Sequence, residues 1–489
     1  MSSSLALLIF GAGIAGLFYL NRDKTVRTSG ALWLPVIWIS IAGSRAVSLW
    51  FSSGTSTNGS IAATLDGSPT DAAIFEVLIV AGIIALFQRK NRTIAILKAN
   101  GPVLLYFFYC MISTAWSPIH GPAFKRWIKD LGDLVMVLII ATEAQPTAAL
   151  GRLFSRIGFI LLPISVPLIR YTSLGVTYDE YGPTNTGVTT NKNALGLIVF
   201  ILSLGALWNI RALFLDKEAH NRTRRLVAQV TLLLFGIVLL QMAHCATAIA
   251  CFVLGGGLML ATSLRSIRNR PGRVHALCLG IILAGGTMLL FGGESMVTGA
   301  LGRQSNLTGR TDIWRACLAA ADSPVFGTGF ESFWNVNVNK VAVGLRGFWG
   351  PTVHNLVSAH NGYIEVYLDL GCVGLCLIVF ILISGYRQAA KSFEQNPQFG
   401  SLMLAYVATS IFYSITEVGF RVLTASWIFL LLAVVMSSGL TAGLVGEDRS
   451  RTPRRALMKH NMRSEDTAPN LTALALRQSQ QMNRGWLCE

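Results

Sequence analysis

The run ALGLIVFILSLGALWNI, residues 194–210, contains no charged side chain, and its reading decides the fold. As a helix rising 1.5 Å per residue it covers most of a hydrocarbon core roughly 30 Å thick. It has no polar face to turn toward water. Comparable runs fall at 5–20, 31–51, 72–88, 101–116, 131–142, 153–169, 226–243, 247–264, 274–292, 363–386, 402–416 and 422–444. With 52% hydrophobic and 13% charged residues over 489 positions, the composition excludes a soluble domain. The sequence therefore predicts an all-α polytopic membrane protein of about 12–13 transmembrane helices, with one long outer loop containing short helices.

Loop charge sets the orientation, because Lys and Arg beside spans favour the cytoplasmic side. One alternating set of loops, together with the 445–489 tail, carries 28 of the 40 basic residues, and the other set carries 11. This places the N-terminus and the 293–360 loop outside and the tail inside. Four regions follow: N-terminal helices 1–292, an outer loop 293–360, C-terminal helices 361–444, and a basic tail 445–489 that reads as disordered. The first run lacks a basic leading region and is followed by Arg22, Lys24 and Arg27, so it reads as a retained helix rather than a cleaved signal. The net charge of +16 is accounted for by inner loops facing anionic headgroups, and no basic-aromatic groove points to nucleic acid. The eight cysteines show neither a disulfide framework nor a zinc spacing, and Cys372 and Cys376 read as packing residues. No phosphate-binding glycine loop is visible, so the sequence predicts no cofactor.

Four outward clusters hold polar residues that packing does not explain. Lys125, Arg126 and Lys129 are three cations in a cation-poor loop, suited either to a lipid phosphate or to headgroup contact. Arg170 precedes a polar stretch that leads to Asn191-Lys192-Asn193, where Lys192 opens a span and either binds an anion or snorkels. Leu301-Gly302-Arg303 and Gly309-Arg310-Thr311-Asp312-Ile313-Trp314 come next. Asp312 is placed to cap a short helix through Ala320, with Arg310 beside its N-terminus or paired to a carboxylate as scaffolding. Last is His360-Asn361 at the start of a span, where imidazole suits proton abstraction near neutral pH. Gly371 and Gly374 would let that helix approach a neighbour closely.

GRTDIW at 309–314, PVFGTGF at 324–330 and HNGYIEVYLDLGCVGL at 360–375 together resemble the signature region of the O-antigen ligase and polymerase family of bacterial envelope glycosyltransferases. NKNALG at 191–196 resembles the Lys-Asn-x-Leu-Gly element of its exopolysaccharide-polymerase branch. The resemblance spans roughly residues 100–440. It implies a multi-pass protein of the bacterial inner membrane with a periplasmic active site and a cytoplasmic C-terminus. It also implies transfer of glycan from an undecaprenyl diphosphate carrier to a growing glycan acceptor, inverting the anomeric centre without nucleotide or metal.

Carried onto matching positions, His360 is the base and Arg310 the diphosphate clamp, with Lys192 and Arg170 as further cations. Asn361, Asp312, Trp314, Asn193, Gly371 and Gly374 support them, and either Asp312 or Glu365 fixes the imidazole tautomer. The expected partners are the lipid-linked oligosaccharide, the acceptor glycan, the bilayer and other polysaccharide export proteins. The family often places a cation where this chain has Ala246, so either Lys192, Arg170 or His244 takes that role, Lys192 foremost, or the role is missing. NKNALG favours polymerisation over ligation onto a lipid A core. A reading of another class, a transporter of lipid-linked sugars, rests on Arg45 inside the 31–51 run.

Overall fold

The computed structural model describes residues 3–51, 68–179, 182–268, 270–290, 307–349 and 358–444. Eight helices lead to a small hairpin: α1 (Ser3–Leu20), α2 (Trp33–Ala42), α3 (Val47–Phe51), α4 (Pro69–Phe87), α5 (Lys90–Lys98), α6 (Gly101–Ser113), α7 (His120–Ala141) and α8 (Pro146–Tyr171). The hairpin pairs β1 (Val176–Asp179) with β2 (Gly182–Asn185) in antiparallel register, Val176 opposite Asn185. Then come α9 (Lys192–Leu215), α10 (Arg222–Ala243), α11 (Ala246–Ala261), α12 (Arg265–Arg268) and α13 (Pro271–Leu290). The long loop carries α14 (Leu307–Ala319), α15 (Phe333–Val336) and α16 (Val338–Trp349), and the chain returns through α17 (Gly362–Gln395), α18 (Pro397–Thr416) and α19 (Ala425–Thr441). The 445–489 tail and Leu301-Gly302-Arg303 lie outside the described residues.

This is an all-α polytopic membrane protein. Every residue of α19 from Ala425 to Gly439 is buried, as expected for a helix that is apolar all round and surrounded by others. Around it pack α7, α17 and α18, while α9 packs against α8, α10 and α11. On the outer side of the bundle, α4 leaves Val77, Ile84 and Phe87 more than half exposed. Exposure of that size is unfavourable in water and neutral against lipid tails.

Among the described residues, six helices are long and apolar enough to span, or seven if α5 and α6, bent by 89°, count as one. Four more of the 12–13 apolar runs form shorter apolar helices, Ser4–Leu20, Gly30–Ala42, Ala246–Ala261 and Ala425–Thr441. The 31–51 run breaks between α2 and α3, and Arg45 sits in the break rather than inside a span. Its guanidinium donates to the carbonyl oxygens of Leu174, Val188, Gly187 and Thr189 at 2.7–3.3 Å and lies 5.0 Å from the Trp50 ring. Arg45 thus clamps the hairpin segment that leads into α9.

The 131–142 run is the second half of α7, whose polar first half is helical rather than loop. Its buried carboxylates all find partners. Asp130 Oδ1 accepts from Trp427 Nε1, and Asp133 accepts from Trp38 Nε1 and Leu423 N, tying α7 to α19, to α2 and to the segment before α19.

Candidate functional site

His360 occupies a tight turn ahead of α17. Its φ of +49° is a left-handed conformation that costs a non-glycine residue about 1–2 kcal/mol. Five hydrogen bonds hold it there. Ala359 N donates to Glu365 Oε1 (2.6 Å), Trp314 Nε1 donates to Ala359 O (2.8 Å), and His360 N donates to Ser358 Oγ (3.0 Å). Asn361 caps α17 by accepting from Tyr363 N and Ile364 N. The backbone on both sides of the histidine is fixed, while its side chain keeps 39% exposure.

The imidazole faces Glu417, which ends α18. Glu417 Oε2 lies 3.5 Å from His360 Nδ1, and Oε1 lies 3.3 Å from Arg310 Nη2 and accepts from Asn193 Nδ2 at 3.0 Å. One carboxylate, 8% exposed, therefore joins side chains from three other segments.

NKNALG explains its share of this geometry residue by residue. Asn191 caps α9 through Ala194 N at 2.8 Å, Lys192 is the first helical residue, and Asn193 reaches Glu417. A Cβ on Gly196 would stand 2.8 Å from Ala248 Cβ and 2.9 Å from Cys245 Cβ, so glycine lets α9 approach the start of α11. Cys245, the cap residue of α11, has its thiol pushed up to about 11, by burial first and then by Glu417, against the opposing pull of Arg310 and Lys192. Lys192 and Arg310 therefore share the surroundings of Glu417.

Behind this set a second polar cluster braces the loop. Arg421 reaches Glu365 Oε2 (3.0 Å) and Glu331 Oε2 (3.5 Å), and Trp334 Nε1 donates to Glu365 Oε2 (2.8 Å). Asp369 Oδ1 accepts from Ser332 N and Phe333 N, both at 2.9 Å. Burial pushes the Glu331 carboxyl above the ordinary carboxylate range against the attraction of Arg421. Beneath lies a cavity of about 20 Å³ bordered by Glu331, Glu365 and Arg421, room for about one water.

Gly371 interrupts α17 with φ +65°, and residues 324–329 fill the break. Cys372 N donates to Pro324 O, Thr328 N to Leu368 O and Gly329 N to Asp369 O. A Cβ on Gly371 would stand 2.1 Å from Val325 O. The approach this glycine permits is that of the loop, not of a neighbouring helix, and a Cβ on Gly374 would meet Leu370 of its own helix.

Of the residues expected from sequence, His360, Asn361, Arg310, Lys192, Asn193 and Trp314 come together. Others sit elsewhere. Asp312 lies inside α14, whose described part begins at Leu307, so it is no cap; it pairs with Arg315 at 3.7 Å on the surface. Neither it nor Glu365 meets the imidazole, because Glu417 occupies that position. Arg170 is exposed at the end of α8, and no described hydrogen bond or ion pair joins it to Glu417, Arg310 or His360. Arg126 is fully buried, donating to Glu331 O and Asn335 Oδ1, so it holds the loop rather than a lipid phosphate. Cys372 and Cys376 are exposed rather than packed.

Glu417, Arg421 and Glu331 were not picked out from sequence. The signal for the first two was present, since they are the only charged residues between 401 and 444, and ionisable groups in apolar surroundings mark function or structural pairing.

The fold and the site define a multi-pass membrane protein in which the loop carrying α14 and several helix ends converge on one histidine, one carboxylate and basic side chains. Residues 189–379 match the family described as O-antigen ligase. The exopolysaccharide production protein ExoQ of Rhizobium meliloti (strain 1021) is 24% identical over 316 residues, 63% of this chain and 70% of that protein. The chain is thus similar to the O-antigen ligase family over residues 189–379 and, more widely, to a protein of exopolysaccharide production. The family match contains Lys192, Arg310 and His360 and stops short of Glu417.

Proposed function

We propose that the chain polymerises oligosaccharide units carried on undecaprenyl diphosphate, at the periplasmic face of the inner membrane. The observation that carries this reading is the meeting of His360, Arg310 and Asn193 on Glu417, beside Lys192. His360 Nε2 takes the proton of the acceptor hydroxyl as its oxygen attacks the anomeric carbon. The bond from that carbon to the diphosphate oxygen breaks in the same displacement, inverting the centre. Arg310 and Lys192 meet the charge on the departing diphosphate at a partly dehydrated surface, where such contacts are strongest. Glu417 keeps the Nδ1 proton in place and stabilises the imidazolium as it forms.

A positioned base contributes typically 10²–10⁴-fold, and the alignment of donor and acceptor supplies much of the rest. Polymerisation is favoured over ligation onto a lipid A core by the NKNALG element and by the relative's role in exopolysaccharide production. The test is His360→Ala in the full chain expressed in membranes. Lipid-linked repeat units should accumulate on the outer leaflet while long glycans disappear. Unchanged glycan length would overturn the assignment of the base, and accumulation on the cytoplasmic leaflet would indicate transport.

A further inference from the structure

The ends of these helices away from His360 hold a second group of cations. Along α8, Arg152 lies 18 residues before Arg170, about 27 Å down the axis. Arg225, in the first turns of α10, reaches Asp23 Oδ2 at 2.7 Å, whereas His244 at the other end of α10 lies beside Cys245 on the His360 side. Between α1 and α8 is a cavity of about 270 Å³ lined by Arg22, Arg152, Arg156, Asp23, Phe18 and Phe159.

Its cations exceed its anions, and the one carboxylate is already engaged. Asp23 holds Arg225 and accepts from Thr25 N and Oγ1. Arg152 is fixed without a carboxylate, donating to Thr28 Oγ1, Asp23 O and Val26 O at 2.7 Å each. Arg156 lies 4.2 Å from the Trp33 ring, and its Nη1 is buried with no hydrogen-bond partner, as is Arg225 Nε. A buried guanidinium N–H without a partner is uncommon, and of the two only Arg156 lines the cavity, where an anion would answer it together with the neighbouring Arg22 and Arg152 charges.

We infer that this cavity binds the phosphate of an anionic phospholipid. The apolar half of its wall separates a lipid from free phosphate. Phe18 and Phe159 meet edge to face at 5.6 Å and offer the first carbons of the acyl chains a surface that inorganic phosphate could not use. Basic pockets between membrane helices suit headgroups for this reason. The inference is independent of the glycan chemistry, because none of its residues touches the Glu417 group.

The test titrates the full-length protein in neutral detergent with phosphatidylglycerol, phosphatidylcholine or inorganic phosphate. It follows the unfolding midpoint and the lipid retained by native mass spectrometry. Phosphatidylglycerol should raise the midpoint and be retained one to a chain, and the other two should do neither. In the Arg152→Gln/Arg156→Gln double variant the phosphatidylglycerol affinity should fall about tenfold or more, the equivalent of one charge-assisted hydrogen bond. Should that variant not fold, Arg22→Gln, which alters an exposed side chain, should weaken retention about threefold by the same reasoning. Retention unchanged in the variants, equal binding of phosphatidylcholine, or a response to inorganic phosphate alone would overturn the inference.

Discussion

Glu417 Oε2 stands 3.5 Å from His360 Nδ1, joining the residue after α18 to the residue two before α17. In the proposed reaction a carboxylate in that position would hold the proton on Nδ1 and leave Nε2 to accept one from a sugar hydroxyl. Glu417→Gln keeps the shape and removes the charge. Turnover should drop about 10- to 100-fold, the usual consequence of losing an orienting partner, with donor binding less affected. Polymer formation in reconstituted membranes measures this, and wild-type turnover would sink the proposed role.

Arg310 reaches the same carboxylate from α14 with 27% of its side chain exposed, so one edge of the guanidinium is left for a ligand. Arg310→Lys keeps the charge and loses the fork. The lysine variant should raise the donor KM about tenfold, and Arg310→Ala should cost about another tenfold in kcat/KM. Equal kinetics for lysine and arginine at this position would argue against bidentate phosphate contact.

Four carbonyls of the 174–189 segment converge on Arg45. Arg45→Ala leaves several buried acceptors unpaired, and stability should fall by about 2–4 kcal/mol. Proteolysis of the hairpin segment should accelerate, and activity should fall because Lys192 and Asn193 follow directly. Arg45→Lys, with fewer donors, should recover only part of the loss. Thermal unfolding in detergent with timed proteolysis separates these outcomes.

Gly371→Ala would set a Cβ 2.1 Å from Val325 O in a backbone conformation that alanine disfavours. About 2–4 kcal/mol of destabilisation is expected, mostly from displacing the 324–329 segment. Gly101→Ala is the control, because a Cβ there meets nothing within 4 Å and should leave the unfolding midpoint almost unchanged.

Glu143, between α7 and α8, provides a pH prediction. Burial raises its carboxyl, but hydrogen bonds from Ser29 and Arg89 more than offset this, leaving it below the ordinary range. Because the folded value is depressed, its stabilisation is present above the unfolded value of about 4.3 and is lost as pH falls through the folded one. Wild-type protein should therefore lose stability below about pH 4 more steeply than Glu143→Gln, which should already be weaker at neutral pH. Parallel melting curves across that range would contradict the assignment.

Sequence periodicity and composition revealed the class of fold, because apolar runs register the hydrocarbon core directly. They left the bounds of individual helices less legible, because a run does not reveal where backbone polar groups recruit a side chain, as Arg45 does between α2 and α3. In the site, NKNALG and the His360 turn were legible because caps and small residues leave local signatures. Glu417 was harder to recognise. Its importance comes from three partners 57 to 224 residues away, a convergence that no local pattern encodes. The misplacement of Asp312 has a similar origin, since α14 begins at least as early as Leu307 and draws that residue into its interior.

Because residues 324–329 are wedged into the interruption at Gly371, the first turns of α17 are mechanically part of the loop. A change in bilayer thickness should therefore be met by tilting the longer stretch beyond residue 371. The turn that carries the imidazole should keep its elevation in a membrane of altered lipid content.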